Sequence, residues 1–291
     1  MRTDLAVEIR ESLGKDKQID GIYSMSEKKD GININRIKIT TIEASKKMNK
    51  PQGNYITVDV PSFTDDARDN EEKIEVIADE IRALLPKKGL IVVVGLGNTN
   101  ITPDNLGPLT ASNVFATRHI TGEIAKSTGL EGLRAVAVLA PGVLGQTGIE
   151  TAELLSGISK SLTPAAFIVV DALASRSLER LGCTVQISDS GISPGSGVGN
   201  SRPRINRNTM GVPVISMGVP TIVDAITLAC DLTGGDREEM ENKAQPRGEP
   251  MMVTPREIDL LIERAARVSA MAINRALQPE LSIEDITMLV S

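Results

Sequence analysis

The chain has no tryptophan, two tyrosines, three phenylalanines, one histidine and two cysteines in 291 residues. Each scarcity removes a class of chemistry. Single-stranded nucleic acid is gripped by aromatic platforms and by positive charge along the phosphates; aromatics this few and a formal net charge of −6 supply neither. A multi-histidine zinc site cannot be assembled from His119 alone, and a Ser-His-Asp triad would have to be built around it. Cys183 and Cys230 fit no metal-ligand spacing and no disulfide framework, and read as small, reduced core residues. The run of roughly 18 apolar residues that a membrane helix needs is missing, and the first residues, with Arg2, Asp4, Glu8 and Arg10, lack the apolar stretch of a secretory signal. These absences predict a cytoplasmic protein with no nucleic-acid partner, no membrane partner and no cofactor.

What is present is an ordinary apolar fraction of 41%, enough for one large core. In the first ~60 residues polar and β-branched residues alternate, as in Ile32 to Ile42 and Tyr55 to Val60, which predicts antiparallel strands on the flank of that core. Asp65 to Leu85 has the spacing of an amphipathic helix. Beyond it, short apolar runs at Ile91 to Val94, Ala135 to Leu139, Phe167 to Val170 and Val214 to Met217 alternate with helical patterns. Those patterns cover Leu106 to Thr117, about Ile149 to Ser161, and Thr221 to Leu232. The alternation predicts an α/β fold: a mostly parallel central sheet with helices on both faces and a β-rich N-terminal extension. The charged, Gly- and Pro-containing stretch 234–250 reads as a mobile loop before a last helix, Pro255 to Leu277. Residues 5–291 are expected to form a single domain, with 5–62 as its β-rich part.

Ligands of such sheets bind beyond the carboxyl ends of the strands, so the residues there are the candidates. The loop Gly95 to Asp104 has glycines for a tight turn, but Asn100 stands where a dinucleotide fingerprint wants glycine. Its carboxylate, Asp104, is either a cap on the next helix or a catalytic group. Asp171 is expected to close the third apolar run; it either pairs with Arg176 or faces the same crevice as Asp104. Two carboxylates in a poorly hydrated cleft cannot both ionise easily, so the pair can hold one proton, activate a water and protonate a leaving amine without histidine. Glycine-rich loops at Ala140 to Glu150 and Asp189 to Asn200 could offer backbone N–H groups to an oxyanion, or be simple turns. Glu150 and Asp224 read as helix-start residues. His119 reads as a partly exposed residue at a helix end.

Seven stretches resemble the germination protease family of spore-forming bacteria. They are RTDLAVE from Arg2, GLGNTNITPDNLGP from Gly95, TRH from Thr117, LAPGVLGQTGIET from Leu139, DALASRSLER from Asp171, ISDSGISPGSGVGN from Ile187 and GVPVISMGVPTIVDA from Gly211. The resemblance implies an endopeptidase, folded like hydrogenase-maturation endopeptidases, that degrades small acid-soluble spore proteins at germination. It implies a homotetramer of the developing forespore and spore core, made as a zymogen and activated by autocleavage. The catalytic aspartates it implies are Asp104 and Asp171, with no metal. Cleavage follows an acidic residue and precedes a hydrophobic residue and alanine, which Asp4-Leu5-Ala6 satisfies. The expected pro-segment is therefore residues 1–4, shorter than in the family, with Met1 where the family prefers an acidic residue. Arg118, Arg176 and Arg202 are candidate partners for the acidic substrate side chain. The alternative is a metal-dependent peptidase in which Asp104 and Asp171, with His119 or Glu150, hold a divalent ion. A further alternative is a non-catalytic or nucleotide-binding α/β module.

Overall fold

The computed structural model describes residues 3–14, 17–64, 71–195, 202–245 and 248–290. The expected helix start at Asp65, part of the glycine-rich loop ending at Asn200, and Met1 lie outside these residues. The strands are β1 (Ile22–Lys29), β2 (Ile32–Ile39), β3 (Gly53–Asp59), β4 (Ile91–Gly95), β5 (Val136–Leu139), β6 (Ala166–Ser175), β7 (Thr184–Ser188), β8 (Val214–Asp224) and β9 (Met252–Val253). The first helices are α1 (Ala6–Ser12), α2 (Ile42–Met48), α3 (Glu71–Leu84), α4 (Leu106–Ser112), α5 (Gly122–Thr128) and α6 (Leu144–Thr147). They are followed by α7 (Thr151–Leu162), α8 (Arg207–Met210), α9 (Ala225–Thr233), α10 (Arg237–Ala244), α11 (Ile258–Leu277) and α12 (Ile283–Val290).

One sheet carries the described strands in the order β1-β2-β3-β7-β8-β6-β4-β5, with β9 added to β8. The pairs β4–β5, β4–β6 and β6–β8 are parallel. These are the four apolar runs legible in the sequence; β4, β6 and β8 are buried on both faces, as inner parallel strands require, while the edge strand β5 is mostly half-buried. The N-terminal strands continue the sheet antiparallel, and β7 joins the halves by pairing with both β3 and β8. On one face Ile77, Ile81, Ala265 and Ile273 of α3 and α11 pack on Ile91, Val93, Ile168, Val170 and Met217. On the other, Leu155 and Met210 cover Val92, Phe167 and Val169, while Leu5, Ala6, Ala44 and Met48 cover Ile37, Ile39, Tyr55 and Leu173. Each large aliphatic side chain so buried is worth about 1.5–3 kcal/mol.

Several boundaries differ from the sequence reading. β6 runs on through Asp171 to Ser175 rather than ending at Val170, because β8 continues beside it from Gly218 to Val223. Backbone partners supplied by a neighbouring strand outweigh the local preference of a charged residue for a strand end. Thr221 accordingly lies in β8, and the helix expected from it begins at Ala225, capped by the buried Asp224 through the N–H of Thr227 at 3.1 Å. Pro220 lacks an N–H, and the β6–β8 register shifts there, pairing Leu173 with Pro220 and Ala174 with Ile222. Thr221 is left over as a bulge residue. The stretch 234–250 contains α10, started by an Asp236 side chain that accepts the Glu238 N–H. α4 stops at Ser112, five residues short of the expected Thr117, and His119 is exposed in the irregular segment beyond it.

The N-terminal segment is fastened by Glu8, a carboxylate buried at 4% exposure. It accepts the N–H groups of Arg176 at 2.8 Å and Ser177 at 2.9 Å, in the turn after β6. Glu8→Ala would leave these two donors unsatisfied and is expected to cost about 1–3 kcal/mol. A lowered urea midpoint with unchanged slope would show it.

Candidate active site

The loop after β4 places the first carboxylate. Gly97, at φ +128°, occupies backbone space that strains any side chain, and a Cβ there would lie 1.9 Å from the Asp104 carbonyl oxygen. The loop folds so tightly that the Asp104 carboxylate accepts the Asn98 N–H at 2.8 Å, across its mouth. Asp104 ends a 3₁₀ turn, Thr102–Asp104, and is not the cap of α4: that position is Asn105, whose side chain caps nothing. The turn is pinned from the sheet as well. Thr221, the bulge residue of β8, donates its hydroxyl to the Pro103 carbonyl at 2.9 Å.

Asp171 comes from the middle of β6 and is 7% exposed. Its Oδ1 accepts the Ala172 N–H at 3.0 Å, and among the described residues no cation pairs with it. Arg176, the partner in one of the two sequence readings of Asp171, is bound instead to Asp231 at 2.6 and 2.7 Å. Burial pushes the Asp171 carboxyl well above the ordinary carboxylate range; the charges of Asp104 and Asp4 raise it further, and only the Ala172 N–H opposes them. Burial also raises Asp104, against the favourable Asn98 N–H. The pair is therefore arranged to retain a proton.

Asp104 and Asp171 line one cavity of about 430 Å³ together with Asp4, Asn98, Thr221 and Arg202. Arg202 is paired there with Glu150 at 3.3 Å. Arg118 is exposed and lines neither this cavity nor the one beside it. Among the described residues no group of three or more His, Cys, Asp or Glu side chains is placed to hold a metal ion. No described helix is long and apolar enough to cross a membrane.

Asp4 lines both this cavity and an adjoining one of about 390 Å³ that also contains Lys50, Tyr55, Gln186 and Arg204. It is held against β6 by one backbone bond and one through its side chain. Its N–H goes to the Ala174 carbonyl at 2.8 Å, and its carboxylate accepts the Ala174 N–H at 2.9 Å. Its carbonyl oxygen accepts from Lys50 Nζ at 2.9 Å and from Gln186 Nε2 at 2.8 Å. Leu5 and Ala6, next in sequence, are fully buried. Lys50 and Gln186 escaped the sequence reading. Lys50 ends a run of surface-type residues after α2, while Gln186 left one faint sign: polar residues alternate with Val185 and Ile187 in a strand buried at every position.

Comparison with known proteins agrees with the motifs. The family model described as germination protease matches residues 2–234. A germination protease of Caldanaerobacter subterraneus subsp. tengcongensis is 44% identical, aligning all of this chain with 98% of its own. One from Clostridium perfringens is 39% identical over all of this chain and 99% of its own, and one from Bacillus velezensis 36% over 97% and 94%. Among solved structures, a [NiFe] hydrogenase maturation protease HycI from Thermococcus kodakarensis matches 67% of this chain and 98% of its own, at 18% identity and a TM-score of 0.37.

Proposed function

The chain belongs to the germination protease family, a peptidase role in spore germination follows from that membership, and we propose that it is an aspartate-dependent endopeptidase cutting first its own Asp4–Leu5 bond. The observation that carries this reading is the buried Asp171, without a cationic partner among the described residues, sharing one cavity with Asp104 and Asp4. In the proposed reaction Asp104, ionised, takes a proton from a water whose oxygen attacks the scissile carbonyl carbon. The C=O electron pair moves to oxygen. As the tetrahedral species collapses, the C–N bond breaks and the carboxyl of Asp171 gives its proton to the leaving nitrogen. Products are an amine and a carboxylic acid that loses its proton to water or to the amine, and the pair is reset when Asp104 gives up its proton and Asp171 regains one by exchange with water.

Substrates in trans are proposed to be small acid-soluble spore proteins of the spore core, cut between an acidic residue and a hydrophobic-Ala pair. Of the three candidate arginines, Arg202 is the one lining the aspartate cavity, and it is proposed to face the acidic side chain. A homotetramer is proposed on the family resemblance; the edge strand β1, with Tyr23 and Met25 63% and 58% exposed, offers apolar surface for assembly.

The test follows the intact mass of purified protein and the cleavage of a peptide containing an Asp-Leu-Ala step. Wild type is expected to yield a new N-terminus at Leu5. Asp104→Asn should slow both reactions by about 10²–10⁴-fold. Near-normal activity in that variant sinks the reading. Because both carboxyls titrate above their ordinary range, the rate should rise with pH as the first ionises and fall as the second does. A profile that is flat across these ionisations would contradict a single-proton pair.

A further inference from the structure

We propose that Lys50 and Gln186 form the oxyanion site of this protease, gripping the carbonyl oxygen of the residue before the scissile bond. The inference rests on the reading that Asp4–Leu5 is a cleaved bond, and it adds to that reading the group that receives the negative charge.

The geometry is specific. Two donors from distant parts of the chain, Lys50 Nζ and Gln186 Nε2, converge on one carbonyl oxygen at 2.9 and 2.8 Å. Donors at about 2.7–3.1 Å from the oxygen that becomes the oxyanion are what such a site requires. The orientation of the Gln186 amide is fixed by its other end, because Oε1 accepts the Ala6 N–H at 2.7 Å. That N–H can only donate, so the amide nitrogen must face the Asp4 oxygen. Gln186 thus spans the peptide to be cut, holding Asp4 on one side of Leu5 and Ala6 on the other.

The sheet sets these groups opposite the aspartates. Asp171 pairs with Gly218 on β8, and Gly218 pairs with Gln186 on β7, so the three stand in one row across adjacent strands and on one face. Two strand spacings separate Asp171 from Gln186, about 10 Å between backbones. The middle position has no side chain, and Asp4 lines the cavities on both sides of it. A peptide lying there meets the aspartate pair from one side and the amide and ammonium from the other.

Lys50 suits the role electrostatically. Removal from water lowers its ammonium from the ordinary range, with Arg204 acting in the same direction and Asp4 against it. Lys50 is half-buried, and a cation partly withdrawn from water gains more than an exposed one when a full negative charge forms beside it. As water adds to the Asp4 carbon, the oxygen becomes that charge, and neither donor has to move to meet it.

The experiment compares wild type, Lys50→Met, Lys50→Arg and Asp171→Asn for Asp4–Leu5 cleavage and for kcat and KM on an Asp-Leu-Ala peptide. Circular dichroism checks the fold of each. Lys50→Met should lower kcat about 10²–10³-fold with KM little changed, as for loss of an oxyanion donor. Lys50→Arg, which keeps the charged donor, should recover most of the rate. Lys50→Met cleaving at the wild-type rate or faster would overturn the proposal, as would a loss confined to KM or one that arginine does not relieve. Asp171→Asn separates the two inferences. If it is inactive while Lys50→Met is active, only the oxyanion assignment falls; if it is active, the aspartate reading falls instead.

Discussion

Asp171→Asn is expected to fold, to be more stable than wild type at neutral pH, and to lose self-cleavage and peptide cleavage by about 10²–10⁴-fold. The loss of activity follows from the proposed role of the carboxyl as proton donor to the leaving nitrogen, which an amide of the same shape cannot perform. The gain in stability follows from burial. Asp171 has a folded pKa raised above its unfolded value, so folding favours its protonated form. Below the unfolded value, about pH 4, the carboxyl is neutral in both states and costs nothing. As pH rises from there through the folded pKa, the unfolded chain ionises first and native stability is lost. Asparagine never ionises and escapes this loss. Thermal unfolding of the two proteins should therefore coincide near pH 3 and diverge toward neutrality, with the variant melting higher. A variant that melts lower at neutral pH would mean that the ionised carboxylate has a stabilising partner.

Gly107→Ala is expected to cost about 3 kcal/mol and to lower Tm by about 6–12 °C, together with most of the activity. α4 sits on the strand ends with no room for a side chain. A Cβ at Gly107 would lie 2.1 Å from the Leu96 carbonyl oxygen and 2.5 Å from that of Val170. Gly95 faces it from β4 with equal closeness, a Cβ there reaching 2.1 Å from the Gly107 carbonyl oxygen. These are backbone atoms of α4, of β6 and of the residue that follows β4, which cannot rotate aside as a side-chain tip would. The helix must lift, and the turn ending at Asp104 lifts with it. Differential scanning calorimetry reads the first effect and peptide cleavage the second. Retention of both within error would show that α4 is not the support of the Asp104 turn.

The sequence disclosed the parallel half of the sheet because its inner strands are buried on both faces and appear as unbroken apolar runs rich in β-branched residues, Ile91 to Val94 being the clearest. It pointed to Asp104 and Asp171 beyond the strand ends; the two do line one cavity, but Asp171 sits inside β6 and not at its end. It did not disclose the length of β6, since what prolongs it is β8, far along the chain. Nor did it disclose the bulge at Thr221, which depends on how Pro220 meets Leu173 across two strands. Lys50 and Gln186 were invisible for a related reason. Neither has a local pattern that distinguishes it, and their meaning arises only where β7 enters between β3 and β8 and the N-terminal segment lies across the result.

The order of strands also sets a sequence of events. The groups that hold Asp4 lie 46, 170 and 182 residues away in Lys50, Ala174 and Gln186, and Gln186 reaches its place only after β7 has found both neighbours. Pairings between such distant segments form late, because a large loop must close before any contact rewards it. A chain still emerging during synthesis, or one with the sheet half assembled, has the Asp4–Leu5 bond but nothing to present it. The proposed self-cleavage at that bond would therefore report on completed folding, and a misassembled copy would keep its first residues as a mark of its failure.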